Sequence, residues 1–217
     1  MMRLLDEFGW EIALHGSYTS SENPDRFAYE KDRIESVAGT EIVDNHQHYW
    51  RVSQPDTWHH LQDVGIKYDT SLGSSTEIHF QHVHDLIRPF DDEFVVFSWS
   101  LMDRAAMESG DTVDEIIANC LDVFAEARRH RSVIVLDWHG GDVFSDQEFP
   151  GWGDIYRRLI ERALEIDAWV GPPEEFYEAL SHPHGTVTEA LDILSEAENT
   201  IPGSSSSNGL GVAYGDR

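Results

Sequence analysis

The chain of 217 residues has one cysteine, few cations and no long apolar run, and each shortage removes a class of protein. Cys120 alone allows neither an internal disulfide nor a cysteine-built zinc cluster, so a bound metal would have to be held by histidine and carboxylate. Lys and Arg number 15 against 41 Asp and Glu, a formal charge of -26. That balance speaks against nucleic acid and anionic membrane as partners, because phosphates are held by basic side chains. No stretch approaches the ~18 apolar residues of a membrane span. Residues 1–10 carry Asp6 and Glu7 and no apolar h-region, so no secretory leader is expected and the cytoplasm is the expected compartment. Glycine-rich phosphate loops of the GxGxxG or Walker kind are also missing.

What is present suits a packed α/β domain. The hydrophobic share is 40%, and 7 Trp, 7 Tyr and 10 Phe supply large apolar surfaces for a core. The acidic residues are spread along the whole chain, as expected of a protein kept soluble in concentrated salt, where screening relieves self-repulsion. A halophilic source is therefore expected, with marked unfolding at low ionic strength as its sign.

Apolar periodicity alternates between short strands and amphipathic helices. Residues 1–8 read as the end of a helix closed by Gly9, and 10–14 as a strand ending at His15. Asn23-Pro24 opens a helix that Gly39 closes. Residues 41–45 form a strand running into His46 and His48. A helix follows from Pro55 to Gly65, and a strand over 66–68 leads to Asp69. Residues 72–92 lack periodicity and hold His79, His82 and His84, and a fourth strand covers 94–99. Thr112 and Glu115 have capping-box spacing ahead of a helical apolar stripe. Residues 132–136 are a β-branched strand ending at Asp137, Trp138 and His139. A helix from Trp152, a sixth strand over 168–170, a short helix from Pro172-Pro173 and a last helix capped by Thr186 follow. The serine- and glycine-rich stretch 201–217 reads as a disordered tail.

Strict alternation implies a parallel sheet, and six units without a phosphate loop favour a barrel. The expected organisation is a barrel domain over 1–180, a helix over 181–200 and the tail over 201–217. In a barrel the residues just past the strand ends share one rim, where His15, His46, His48, Asp69 and His139 all fall. Neutral imidazoles bind zinc-like ions, and a catalytic site takes about three protein ligands. A further histidine could protonate a leaving amine, so metal-assisted amide or ester hydrolysis is the matching reaction class. Each such histidine has a plain alternative as a hydrogen-bonded loop residue. His59, His60 and His130 read as solvated helix residues, and Trp138 and Trp50 equally as core or as sugar-stacking platforms.

Four segments together resemble the polysaccharide deacetylase (NodB-like) family in their order, spacing and placement. They are 10–20 (WEIALHGSYTS), 46–51 (HQHYWR), 67–73 (KYDTSLG) and 135–140 (VLDWHG), the last followed by Phe149-Pro150-Gly151-Trp152. The likeness covers about 1–166. It implies a distorted (β/α) barrel that removes acetyl groups from N-acetylated sugars, a carbohydrate partner and a divalent metal, zinc or similar.

By that resemblance His15 matches the first histidine of the family's pair, while the i+4 position is Thr19. Tyr49 holds the place whose backbone N–H binds the oxyanion, and His48, standing where the family has proline, is the expected substitute ligand. His15 and His48 are thus the expected metal ligands, and His139 the general acid to the leaving amine. Trp138, Arg51 and Asp69 are candidate substrate-binding residues. The family's strand with two adjacent aspartates has no counterpart here, and His46 stands in place of its arginine. A barrel lacking its first strand is therefore expected, through a late start or a degenerate copy. Two other readings stand beside this one: a non-catalytic carbohydrate-binding fragment, and an unrelated metal hydrolase built on His79, His82 and His84.

Overall fold

The computed structural model describes residues 2–80, 84–140, 150–180 and 184–200. His82, Phe149 and the stretch 201–217, on which parts of the sequence reading fall, lie outside them.

The helices form where the caps predict. In α1 (Met2–Glu7) the chain is already helical, and α2 (Pro24–Ala38) is started by the Asn23 side chain accepting from the Arg26 N–H, with Pro24 in the first turn. Gly39, at φ 85°, ends α2 in the left-handed conformation that glycine adopts at least cost. After α3 (Asp56–Asp63) and α4 (Asp103–Glu108) comes α5 (Val113–His130), with a complete Thr112–Glu115 capping box. Its buried stripe of Ile116, Ile117, Cys120, Val123, Phe124 and Ala127 packs with Ile155, Leu159 and Ala163 of α6 (Trp152–Glu165). Next come α7 (Pro173–Ala179) and α8 (Val187–Thr200). Val187, Ala190 and Leu194 join Tyr68, Val95, Phe97 and Phe176 in one core, so the last helix is bound to the sheet.

The strands are short and parallel. β1 (Asp44–Asn45), β2 (Tyr68–Asp69) and β3 (Val95–Val96) make one sheet in that order, and β4 (Trp99–Met102) pairs with β5 (Val135–Asp137) in a second. Residues 10–14 contribute a single parallel bridge, Leu14 to Asn45, and 168–170 form no strand. The architecture is mixed α/β, but the expected barrel is not closed among the described residues. A barrel needs every strand paired on both sides. Here the ladder is interrupted between Val96 and Trp99, and its outer members are one bridge and a three-residue strand whose residues are all half-buried.

The fourth strand also differs from expectation. It does not stop at Trp99 but continues, after Phe97-Ser98, as β4 directly into α4. That extension carries Asp103, which the sequence reading passed over.

Candidate functional site

The candidate site lies where β1, the 15–20 turn, β4 and β5 end. After β1 the chain stays extended, so side chains alternate in direction. Asn45 and Gln47 are fully buried, and His48 is exposed with His46 half-buried. Gln47 is the anchor. Its Nε2 donates to the carbonyls of Gly16 and Ser17, while its own N–H donates to Ser71 Oγ. A Cβ on Gly16 would come within 2.3 Å of Gln47 Oε1, so the turn after His15 closes only over glycine. This lock brings His15 to His48, with His15 Nε2 3.0 Å from His48 Nδ1, and stacks the rings of His15 and His46 with centroids 5.6 Å apart.

His46 is fixed from both ends. Its Nδ1 lies 2.9 Å from the Thr70 carbonyl, which only accepts, so Nδ1 donates; Nε2 then faces Asp137 Oδ2 at 3.8 Å. Asp137 is held in turn by the Trp50 indole N–H at 3.1 Å. The His15 imidazole is held below its ordinary range, first by burial, then by repulsion from His46 and His48. Asp137 opposes that shift and His139 adds to it, so all five groups act on one patch.

His139 is held separately. Both its backbone N–H and its Nδ1 donate to Asp103 Oδ2, each at 2.8 Å, and the Arg104 N–H donates to Asp103 Oδ1 at 2.6 Å. Asp103 is 1% exposed while the His139 ring is mostly exposed. A buried carboxylate thus sets the tautomer and direction of an exposed imidazole, the arrangement expected of a histidine that moves protons at Nε2. Its sequence sign was faint: a single aspartate where an apolar strand turns into a helix.

The other expected residues are placed as follows. Tyr49 is exposed next to His48, in a turn where Tyr49 and Trp50 have φ of 54° and 50°. Arg51 stacks its guanidinium 4.1 Å from the Tyr18 ring centre and pairs with Glu22. Trp138 turns away from the rim and packs on Tyr156 and the α5–α6 core. Asp69 is fully buried, and its oxygens accept from Asn45, Ser71 and the Trp58 indole, which ties β1, β2 and α3 together below the rim.

His15 and His48 offer two imidazole nitrogens 3.0 Å apart, the donor chemistry of a zinc-like ion, at a spacing close to that of two ligands on one ion. Among the described residues no group of three His, Cys, Asp or Glu is arranged to hold a metal, so the pair fits part of a catalytic set. Of the distal histidines, His79 lies 3.8 Å from Glu77, and His84 donates to or accepts from Glu126 at 2.6 Å while stacking on His130. A surface depression lies on that side, lined by Ile78, His79, Asn119, Asp122 and Glu126, away from the rim.

No protein-family model matches the sequence, and no curated protein matches it. Among solved structures, the chain is similar to the "putative polysaccharide deacetylase from Mycobacterium smegmatis", with a TM-score of 0.59 and 20% identity. The match covers 96% of this chain and 71% of the other. The two share a fold. Among the described residues no helix is long and apolar enough to cross a membrane.

Proposed function

We propose that the protein is a hydrolase of polysaccharide-deacetylase type, removing acetyl groups from N-acetylated sugars by cleaving a non-peptide amide bond. The observation that carries this reading is the Asp103–His139 pair beside the imidazole cluster, on a fold similar to a protein described as a deacetylase. As water adds to the carbonyl carbon and the C–N bond breaks, releasing acetate, His139, with Nδ1 committed to Asp103, delivers a proton from Nε2 to the departing amine. The Tyr49 N–H, in the turn after His48, meets the carbonyl oxygen as it gains charge. His15 and His48 would hold a divalent ion, which supplies Lewis acidity toward the amide carbonyl.

A second reading, sugar binding without turnover, is favoured by the lack of a third donor among the described residues. Two measurements separate them. Acetate release from N-acetylated oligosaccharides, abolished in His139→Ala, supports the hydrolase. A chain that binds the sugars and releases no acetate, with or without added zinc, is the binding module. Metal retained after dialysis, and lost in His15→Ala, tests the ligand assignment independently of activity.

A further inference from the structure

Before its strands reach the imidazole cluster, the sheet brings Glu11, Asp44 and Glu174 together. Asp44 pairs in register with Tyr68, so both side chains leave β1 and β2 on the same face. The Tyr68 hydroxyl donates to Glu11 Oε1 at 2.5 Å, and the Glu174 N–H, in the first turn of α7, donates to Glu11 Oε2 at 3.1 Å. Both oxygens of Glu11 are thereby fixed. Its carboxylate faces Asp44 closely enough for the two to share a hydrogen bond when one of them carries a proton.

Asp44 is the member that the fold leaves unexplained. It is 5% exposed, and its Oδ1 has no hydrogen-bond partner among the described residues. A buried carboxylate oxygen is costly unless a proton or a cation meets it. The neighbouring charges make the want of a cation sharper. Asp69 of β2 acts on Asp44 along with Glu11, and Asp6 of α1 with Glu175 and Glu178 of α7 acts on Glu174. Burial and this repulsion push the Asp44 carboxyl well above the usual carboxylate range, so without a cation it keeps a proton. Glu11 is half-buried and Glu174 exposed, which leaves the outer side of the group open to water.

We infer that Glu11 and Asp44 are the inner ligands of a hard divalent cation, calcium or magnesium, with Glu174 at its outer edge. Donors that are all carboxylate oxygen suit such ions, whereas imidazole suits zinc. Among the described residues no three such groups are already arranged to hold a metal, so the ion binds through two carboxylates and keeps waters on its solvent side, as magnesium commonly does. It takes the place of the Asp44 proton, which leaves to solvent. Its effect is structural. Residues 10–14 are tied to β1 by the Leu14–Asn45 bridge alone, and an ion shared by Glu11 and Asp44 adds a further tie on the segment that ends at His15. The site does not depend on the hydrolase reading.

The test is calorimetric titration of the whole, chelator-treated protein with calcium chloride and with magnesium chloride, in molar potassium chloride to screen diffuse binding to the acidic surface. A single saturable site is expected for one or both ions, with an affinity that rises by up to about tenfold per pH unit while a proton must be displaced. Asp44→Asn and Glu11→Gln, which keep the shape of the parent side chains, should each weaken it by about tenfold or more. His15→Ala should leave it unchanged. The ion should raise the melting temperature of the parent and not that of Asp44→Asn. Near-ultraviolet circular dichroism identifies any variant that has lost its fold. No saturable binding of either ion, an affinity that does not rise with pH, or parental affinity in the folded Asp44→Asn and Glu11→Gln variants overturns the site. Binding lost in His15→Ala and kept in Asp44→Asn moves the ion to the imidazole pair and overturns it equally.

Discussion

Among the described residues two histidine–carboxylate pairs are short, Asp103–His139 at 2.8 Å and Glu126–His84 at 2.6 Å, and distance alone would rank the second above the first. Burial reverses the order. Asp103 is 1% exposed and accepts from two backbone N–H groups as well as the imidazole, whereas the Glu126 and His84 side chains are 33% and 36% exposed and lean together on the surface. A carboxylate with no water to compete for it holds its imidazole in one orientation; a solvated pair does so only part of the time. The sequence shows a histidine in each case. Only the partner's surroundings separate a positioned proton donor from a surface contact.

The largest expected effect is on the first pair. His139→Ala should lower acetate release by about 10²- to 10⁴-fold, the usual worth of a general acid. The melting temperature should change little, because the ring is mostly exposed and the His139 backbone N–H keeps its bond to Asp103. Asp103→Ala should lose both. It removes the acceptor of three buried or half-buried donors, at a cost of about 1–3 kcal/mol in urea unfolding. It also frees the imidazole to rotate. An Asp103→Ala protein as stable and as active as the parent would end the comparison.

Asp44 offers a buried carboxylate whose charged neighbours are acidic. It is 5% exposed, its Oδ1 has no hydrogen-bond partner among the described residues, and burial, then repulsion from Glu11 and Asp69, raises its pKa well above the usual carboxylate range. The folded chain therefore keeps a proton that the unfolded chain releases once pH rises past the ordinary carboxylate value. Stability should fall as pH climbs from there through the raised folded pKa, and recover toward acid. Asp44→Asn should reduce that slope, leaving the part that the likewise raised Asp69 contributes, and add on the order of 1 kcal/mol near neutrality, with an amide N–H to offer Glu11. Urea midpoints at several pH values check it, and an unchanged slope in the variant would show that Asp44 is not its source.

How much of this was legible beforehand follows from the range of the forces involved. Caps and helix stripes are local, and Asn23, Gly39, Thr112 with Glu115 and Thr186 with Glu189 each act where their spacing says. The histidines at the strand ends were legible too, since extended chain leaves few places for them to go. Closure of a barrel is not local; it depends on ladder bonds between segments dozens of residues apart, and two-residue strands carry too little pattern to predict them. Asp69 reads as a rim residue, and Trp138 equally as core or as a sugar-stacking platform, because a sequence gives position along a strand and not direction. Asn45 and Trp58 hold the first below the sheet ends, and Tyr156 holds the second on the α5–α6 core. Asp103 stayed hidden because its meaning comes entirely from His139, 36 residues away.

The smallest predicted effect closes the comparison from its other side. His84→Ala or Glu126→Gln should cost at most about 1 kcal/mol and leave acetate release and sugar binding unaltered, because both side chains are a third exposed and salt screens their attraction. The His84 hydrogen bond, ahead of any other influence, holds the Glu126 carboxyl below its ordinary range. What the pair contributes is therefore present above the ordinary carboxylate value and lost as pH falls through the lowered one, a window that molar salt should flatten. If His84→Ala instead impaired turnover as His139→Ala does, burial of the carboxylate would not be what distinguishes the two pairs. The surface depression beside α5 would then replace the strand-end rim as the place to look for substrate.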